Sequence, residues 1–130
     1  HRVEFRSGDI LLLRTGWRRK FLDERNATEW MKGEPGIGIA CCDWLAEHET
    51  AVVCADNIAV EVLPGEISTE ILPVHMVLLR DMGMTLGEIL DFEELADDCA
   101  RDGVYEFFFC GPPIKFSRAL GSPINPLAIF

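Results

Sequence analysis

The stretch PGIGIACCDWLAEHETAVVCADN, residues 35–57, changes its apolar period midway. From Ile37 to His48 the side chains of Ile37, Cys41, Trp44 and Leu45 recur on one helical face, which predicts an amphipathic helix after the Pro35-Gly36 turn. Thr50 to Cys54 is then a short unbroken apolar run closed by Asp56-Asn57, the pattern of a buried strand. A helix followed directly by a buried strand is an α/β signal, so α/β is the expected fold class.

Working outward, Gly8-Asp9 opens a second buried strand at Ile10–Leu13, which ends at Arg14-Thr15-Gly16-Trp17. The segment from Arg18 to Glu34 mixes charge with aromatics and is expected to be a loop with a short helix starting near Thr28. Beyond the central stretch, Ile58 to Leu63 alternates as a further extended segment before Pro64-Gly65. Pro73 suits the first turn of a helix carrying His75 through Arg80, and Met84 to Glu88 is then extended. Phe92 to Arg101 is amphipathic and stops at Gly103. Tyr105 to Cys110 is the clearest strand, Gly111-Pro112-Pro113 a turn, and Leu127 to Phe130 a last strand. Neither a repeat nor a linker interrupts the pattern, so residues 1–130 read as a single domain.

Composition narrows the partners. At 130 residues, with 48% hydrophobic and 26% charged, the chain is ordinary for a globular domain. A chain of this length buries roughly two-thirds of its unfolded surface without staples. The formal net charge of -10 repels phosphate backbones, which argues against nucleic acid. The one basic run, Arg14, Arg18, Arg19 and Lys20, reads as a solvated strand end or turn. Cys41, Cys42, Cys54, Cys99 and Cys110 are odd in number and lack C-x-x-C spacing, and adjacent Cys41 and Cys42 cannot easily pair, so a reducing cytoplasm is expected. Cys54 and Cys110 sit in apolar runs as small buried hydrophobes. No segment has the ~20 apolar residues of a membrane span, and the charged start from His1 to Arg6 does not read as a secretory leader. His1 is given no role.

Few residues offer chemistry. His75 lies near a helix start and Glu88 thirteen residues later, beyond the helix end, so an antiparallel return brings imidazole and carboxylate together. That spacing permits a metal site and equally a plain core or surface histidine. Asp56 and Asn57 follow a buried strand, where polar residues either line a cleft or simply turn the chain. Gly36-Ile37-Gly38-Ile39 lacks the third glycine of a nucleotide loop and reads as turn and cap chemistry.

Several pieces recur in a familiar order: Gly8 to Trp17, Pro35-Gly-Ile-Gly38, Pro73-Val-His75-Met-Val-Leu-Leu79, Gly87-Glu88, Phe92-Glu-Glu-Leu95, Tyr105-Glu-Phe-Phe-Phe109, Gly111-Pro-Pro113 and Gly121-Ser-Pro-Ile-Asn-Pro126. In that order the chain resembles the C-terminal half of the cyclase family, metal-dependent amide hydrolases that include bacterial kynurenine formamidase and isatin hydrolase. The resemblance implies a layered β/β/α architecture with a mixed sheet or partly closed barrel. It implies His75 and Glu88 as metal ligands, and places Asp56 and Asn57 near the substrate pocket. The implied chemistry is hydrolysis of a formamide or lactam, with a cation that acidifies water and stabilises charge on the carbonyl oxygen.

In the family, an H-x-G-T-H-x-D motif supplies the other ligands and a nearby histidine acts as acid/base. This sequence contains neither, since its histidines are His1, His48 and His75. No catalytic residue is therefore assigned. Catalytic zinc usually has three protein ligands, so zinc or manganese is expected only where another chain completes the site. A half-length chain of this fold would leave strand edges and apolar faces uncovered. A homo-oligomer is the expected remedy, with a separate chain carrying the N-terminal half as another partner and a small amide as substrate. Three functions follow: an amide hydrolase incomplete in this chain, its missing ligands supplied by a separate chain or a lost N-terminal segment, a non-catalytic oligomeric binding module on the same scaffold, or a site built from His75 and Glu88 of two subunits.

Overall fold

Strands β1 (Ile10–Leu13), β2 (Val52–Ala55) and β3 (Thr85–Gly87) form a parallel sheet in that order in the computed structural model, which describes residues 3–130. His1 lies outside the described residues. The register sets Leu13 beside Ala55 and Cys54 beside Gly87. Because side chains alternate along a strand, Leu11, Leu13, Val53, Ala55 and Leu86 share one face, and Ile10, Leu12, Val52 and Cys54 the other. Both faces are covered, which is why these strands read as unbroken apolar runs.

Over the first face lie α3 (Cys41–Glu47) and a helix that begins as α4 (Pro73–His75) and continues as a wider π-helical turn, Met76–Asp81. Cys42, Leu45, Val74 and Leu78 pack there with Val53, Ala55, Val60 and Met84. The predicted helix around Cys41 thus exists, but its buried face is Cys42 and Leu45. Trp44 is 42% exposed. It stacks on His48 with ring centroids 4.0 Å apart. Ile37 precedes the helix and bridges to Glu61.

The second face is closed by α5 (Glu93–Asp102) and by an antiparallel ribbon of β4 (Phe108–Cys110) and β5 (Leu127–Ile129). Leu90, Phe92, Leu95, Phe109 and Ile124 meet Cys54 there. Glu93 and Glu94 in the first turn of α5 and Arg101 in the last complement the helix dipole, and Gly103 ends the helix in the left-handed conformation. The expected strand from Tyr105 shortens to Phe108–Cys110.

Two expectations need correction. The segment 18–34 is not mainly loop, because α1 (Trp17–Glu24) and α2 (Ala27–Trp30) fill most of it. Helix α1 buries no residue, so it has no apolar stripe to read. Its legible signals are the i,i+4 pairs Arg19–Asp23 and Lys20–Glu24. Phe21 packs on Trp30, whose indole N–H donates to the Trp17 carbonyl at 2.9 Å. The basic run is not simply solvated either: Arg14 grips Glu93 through two bonds of 2.8 and 2.9 Å, Arg19 joins at 3.0 Å, and Arg18 pairs with Asp91 at 2.6 Å. These ties fasten α1 to the start of α5.

Residues 58–63 form only isolated bridges, Glu34 with Leu63 and Ile37 with Glu61, because Val60 takes a left-handed φ of 59°. The fold is mixed α/β with one parallel and one antiparallel sheet, and among the described residues these do not close into a barrel. No helix among them is long and apolar enough to cross a membrane. The five cysteines are free. Burial pushes the Cys54 thiol up to about 11.

Candidate functional site

All three parallel strands deliver polar residues at their carboxyl ends: Thr15-Gly16 after β1, Asp56-Asn57 after β2 and Glu88 after β3. That edge is where open α/β sheets collect ligands.

Asp56 is buried, at 1% exposure. Its Oδ1 accepts the Thr15 N–H at 2.7 Å and the Thr15 hydroxyl at 2.5 Å, and Oδ2 accepts the Gly16 N–H at 2.8 Å. The carboxylate therefore ties the end of β1 to the end of β2. Asn57 is fully buried and acts as a hub. Its Oδ1 accepts the Val60 N–H at 2.9 Å, its Nδ2 donates to the Pro35 carbonyl at 2.7 Å, and its own carbonyl accepts the Ile89 N–H at 2.9 Å.

Val60 and Ile89 are β-branched residues held at positive φ, 59° and 56°. Such a backbone costs on the order of 1–3 kcal/mol and persists only where its surroundings over-determine it. Asn57 supplies that restraint to both. One strained residue precedes Glu61 and the other follows Glu88, so Asn57 restrains both carboxylate-bearing turns, the first through its side-chain amide and the second through its backbone carbonyl. Glu34 braces the same turn: it is buried, and accepts the Ile58 N–H at 2.6 Å and the Ala59 N–H at 2.8 Å. Burial pushes its carboxyl pKa up, and the two N–H donors pull it partly back.

The two carboxylates flank His75. Glu61 is fully buried and sits under the first turn of α4, where Oε2 accepts the Val74 N–H at 3.0 Å and Oε1 the His75 N–H at 2.9 Å. Pro73 at the first helical position has no N–H and Leu72 offers no capping side chain, so the cap comes from across the fold. The same Oε1 lies 2.7 Å from His75 Nδ1. On the other side of the ring, Nε2 is 3.0 Å from Glu88 Oε1. The imidazole pKa is raised, first by the Glu88 contact, against the opposing effect of burial, and further by Glu61.

His75 and Glu88 thus lie side by side, whereas the hydrogen bonds of Asp56 and Asn57 go elsewhere. Glu61 and Glu34 were not singled out in the sequence. The available signal was a charge inside an apolar run, Ile58-Ala-Val-Glu-Val-Leu63, since a carboxylate there must find partners. Beside His75 an open depression of about 590 Å³ is lined by Ile71, Leu72, Met76, Leu79 and Arg80. Asp56 and Asn57 are not among its lining residues.

Two donors could hold a divalent cation here. Metal–nitrogen and metal–oxygen bonds of about 2.0–2.2 Å fit an N···O pair close to the observed separation. Glu61 on Nδ1 suits that role, because ligating histidines commonly anchor their second nitrogen on a carboxylate. Among the described residues no group of three His, Cys, Asp or Glu is arranged to hold a metal.

A family model described as "Putative cyclase" matches residues 1–62. The crystal structure of a protein called a novel cyclase superposes with a TM-score of 0.88 at 42% identity, covering 98% of this chain and 42% of that one. The chain therefore spans less than half the length of the solved protein it matches. No curated protein matches it.

Proposed function

This chain is a cyclase-family chain that spans part of the family's length, and on that premise we propose that it carries one side of the active site of a metal-dependent amide hydrolase. The observation that supports this reading is the approach of His75 Nε2 to Glu88 Oε1 at 3.0 Å, with the opposite ring nitrogen on buried Glu61. His75 and Glu88 are the two ligands this chain contributes to a zinc or manganese ion. A separate chain or an N-terminal segment contributes the rest, and with them the acid/base. When bound, the cation supplies Lewis-acid polarisation of the amide carbonyl and a water acidic enough to react near neutral pH. The chain's own residues hold and shield: Asn57 fixes both carboxylate-bearing turns, Glu61 holds the imidazole, and Ile71, Leu72, Met76 and Leu79 offer a formamide or lactam an apolar wall.

The test is elemental analysis of the chain dialysed against zinc, alone and with a chain bearing the H-x-G-T-H-x-D motif, followed by an assay of formamide hydrolysis. Well below one metal per chain is expected alone, with near one per pair and hydrolysis on completion. Both should fall in His75→Ala and Glu88→Ala. Metal retained at full occupancy by both variants would sink the reading.

One observation favours a second reading, a non-catalytic oligomeric binding module. The outer ribbon face exposes Phe108 at 65%, Leu127 at 56% and Ile129 at 53%, beside Phe130 at 61%. Natural proteins cover such faces, here by another copy of the chain. Sedimentation decides it: a monomer at micromolar concentration speaks against the oligomer, and a dimer without metal or amidase activity speaks for the module. Five free thiols favour a reducing, cytoplasmic setting for either.

A further inference from the structure

We propose that the loop joining β4 to β5, residues 112–121, is an arm that docks in the depression beside His75 of a second copy of this chain, with Leu120 seated among Ile71, Leu72, Met76 and Leu79. This deepens the oligomeric reading above and rests on it, but needs neither a cation nor amidase activity. Leu120 of one copy then forms part of the wall beside His75 of the other.

Every residue from 112 to 121 is exposed, yet the loop is closed on itself: the Ile114 N–H donates to Ser122 Oγ at 2.9 Å, and the Phe116 N–H to the Ile114 carbonyl at 3.1 Å. An arm already held in shape loses less entropy on docking than a free segment of the same length. It presents Ile114, Phe116 and Leu120, and extends the ribbon whose outer face exposes Phe108 and Leu127. Leu120, wholly exposed, and Ile71, at 86%, are the most exposed large apolar side chains described, one on the arm and one on the depression. Natural proteins cover such groups. Charge selects what covers them. All 22 acidic residues lie before Phe107, whereas Lys115 and Arg118 are the only charged side chains after it. Neither cation has an ion-pair partner among the described residues. At the depression Glu70 lies on the lining, and Arg80 beside it is taken up by Asp81 through bonds of 2.6 and 2.9 Å. The arm is thus apolar and cationic, and the depression apolar and anionic. On a chain of net charge -10 such an arm is drawn to another copy, and the complementarity orients the encounter.

Sedimentation of the chain, of Leu120→Glu and of Ile71→Glu tests this, with circular dichroism to check that both variants fold. Each variant should weaken self-association at least about 10-fold, the effect of losing one buried leucine-sized side chain, and added salt should weaken the wild type. An equimolar mixture of the two variants decides the pairing. Leu120→Glu keeps an intact depression and Ile71→Glu an intact arm, so the mixture should form a complex that neither variant forms alone. Two dissociated variants that stay apart when mixed overturn the proposal. An oligomer that both variants leave intact also overturns it, and leaves the oligomeric reading standing through the ribbon face. A wild-type monomer removes both ideas. If that monomer captures a chain bearing the N-terminal half, and Leu120→Glu abolishes the capture, the arm's occupant is that chain and the second copy is ruled out.

Discussion

Gly36 and Gly38 are two residues apart, and alanine should be costly at one and cheap at the other. A Cβ at Gly36 would stand 2.2 Å from the Glu61 carbonyl carbon, 2.4 Å from its oxygen and 2.5 Å from the Val60 oxygen, whereas ordinary contact begins near 3.4 Å. The two backbones must separate by roughly 1 Å to relieve an overlap of that size, and overpacking of this kind costs about 1–3 kcal/mol. They are joined by Ile37 N–H to Val60 O at 3.1 Å and Val62 N–H to Ile37 O at 3.0 Å. Stretching these bonds adds about 0.5–1.5 kcal/mol for each. We expect Gly36→Ala to cost about 3 kcal/mol, a drop in Tm on the order of 10 °C for a chain of this size. At Gly38 the atoms nearest the Cβ are those of the Glu66 carboxylate, at 2.5–2.8 Å, on an exposed and flexible side chain. Moving it forfeits the 2.6 Å bond from Ile39 N–H, about 1 kcal/mol, which the lower entropy of the unfolded alanine chain partly offsets. Urea unfolding followed by tryptophan fluorescence measures both variants. Costs within 0.5 kcal/mol of each other would refute the claim that the 36–37 and 60–62 backbones are locked together.

Glu93 is held at a pKa of about 2, chiefly by Arg14, then with help from Arg19. A folded value below the ordinary 4.5 means that its stabilisation is full above 4.5 and disappears as pH falls through about 2. Because Arg14 and Arg19 are 41% and 61% exposed, solvent screening limits it to about 1 kcal/mol. Glu93→Gln should lower the urea midpoint at pH 7 and by much less at pH 2, where the folded carboxyl is about half protonated, so an equal loss at both would remove the ion-pair account. Leu78→Ala, at a fully buried site, is expected to cost about 2–5 kcal/mol, and a loss under 1 kcal/mol would mean that the π-helical turn is not packed as described. Replacing Phe108 and Ile129 together by serine should change monomer stability by no more than about 0.5 kcal/mol for each exposed site. The same pair should lower the mass seen in sedimentation, and an oligomer that survives the change does not form through the ribbon.

What the sequence disclosed follows from which signals are local. β1 and β2 were legible because a strand buried on both faces reads as a plain apolar run, and α5 because its stripe and its Gly103 stop agree. Helix α1 escaped notice for the opposite reason. It rests on the ion pairs of Arg19 with Glu93 and of Arg18 with Asp91, more than 70 residues away, and buries nothing of its own. The pairing of His75 with Glu88 was anticipated from their spacing around a helix end and from family resemblance. Glu61 was not, because its role depends on a turn at Val60 that no β-branched residue announces.

That turn also explains how a site can be specified by residues that never touch its ligand. β2 and β3 run parallel with Cys54 beside Gly87, so the chain leaves both strands at the same level, and Asn57 stands within reach of Ile89. The Asn57 side-chain amide restrains the Val60 turn and its backbone carbonyl the Ile89 turn, so loss of the amide would release only the first of two backbone strains of on the order of 1–3 kcal/mol each. Backbone strain in this part of the molecule thus sits beside the two carboxylates that meet one ring. The two strained turns carry the carboxylates that flank His75, a placement in keeping with the ligand pair proposed above and one that a plain turn after a buried strand would not need.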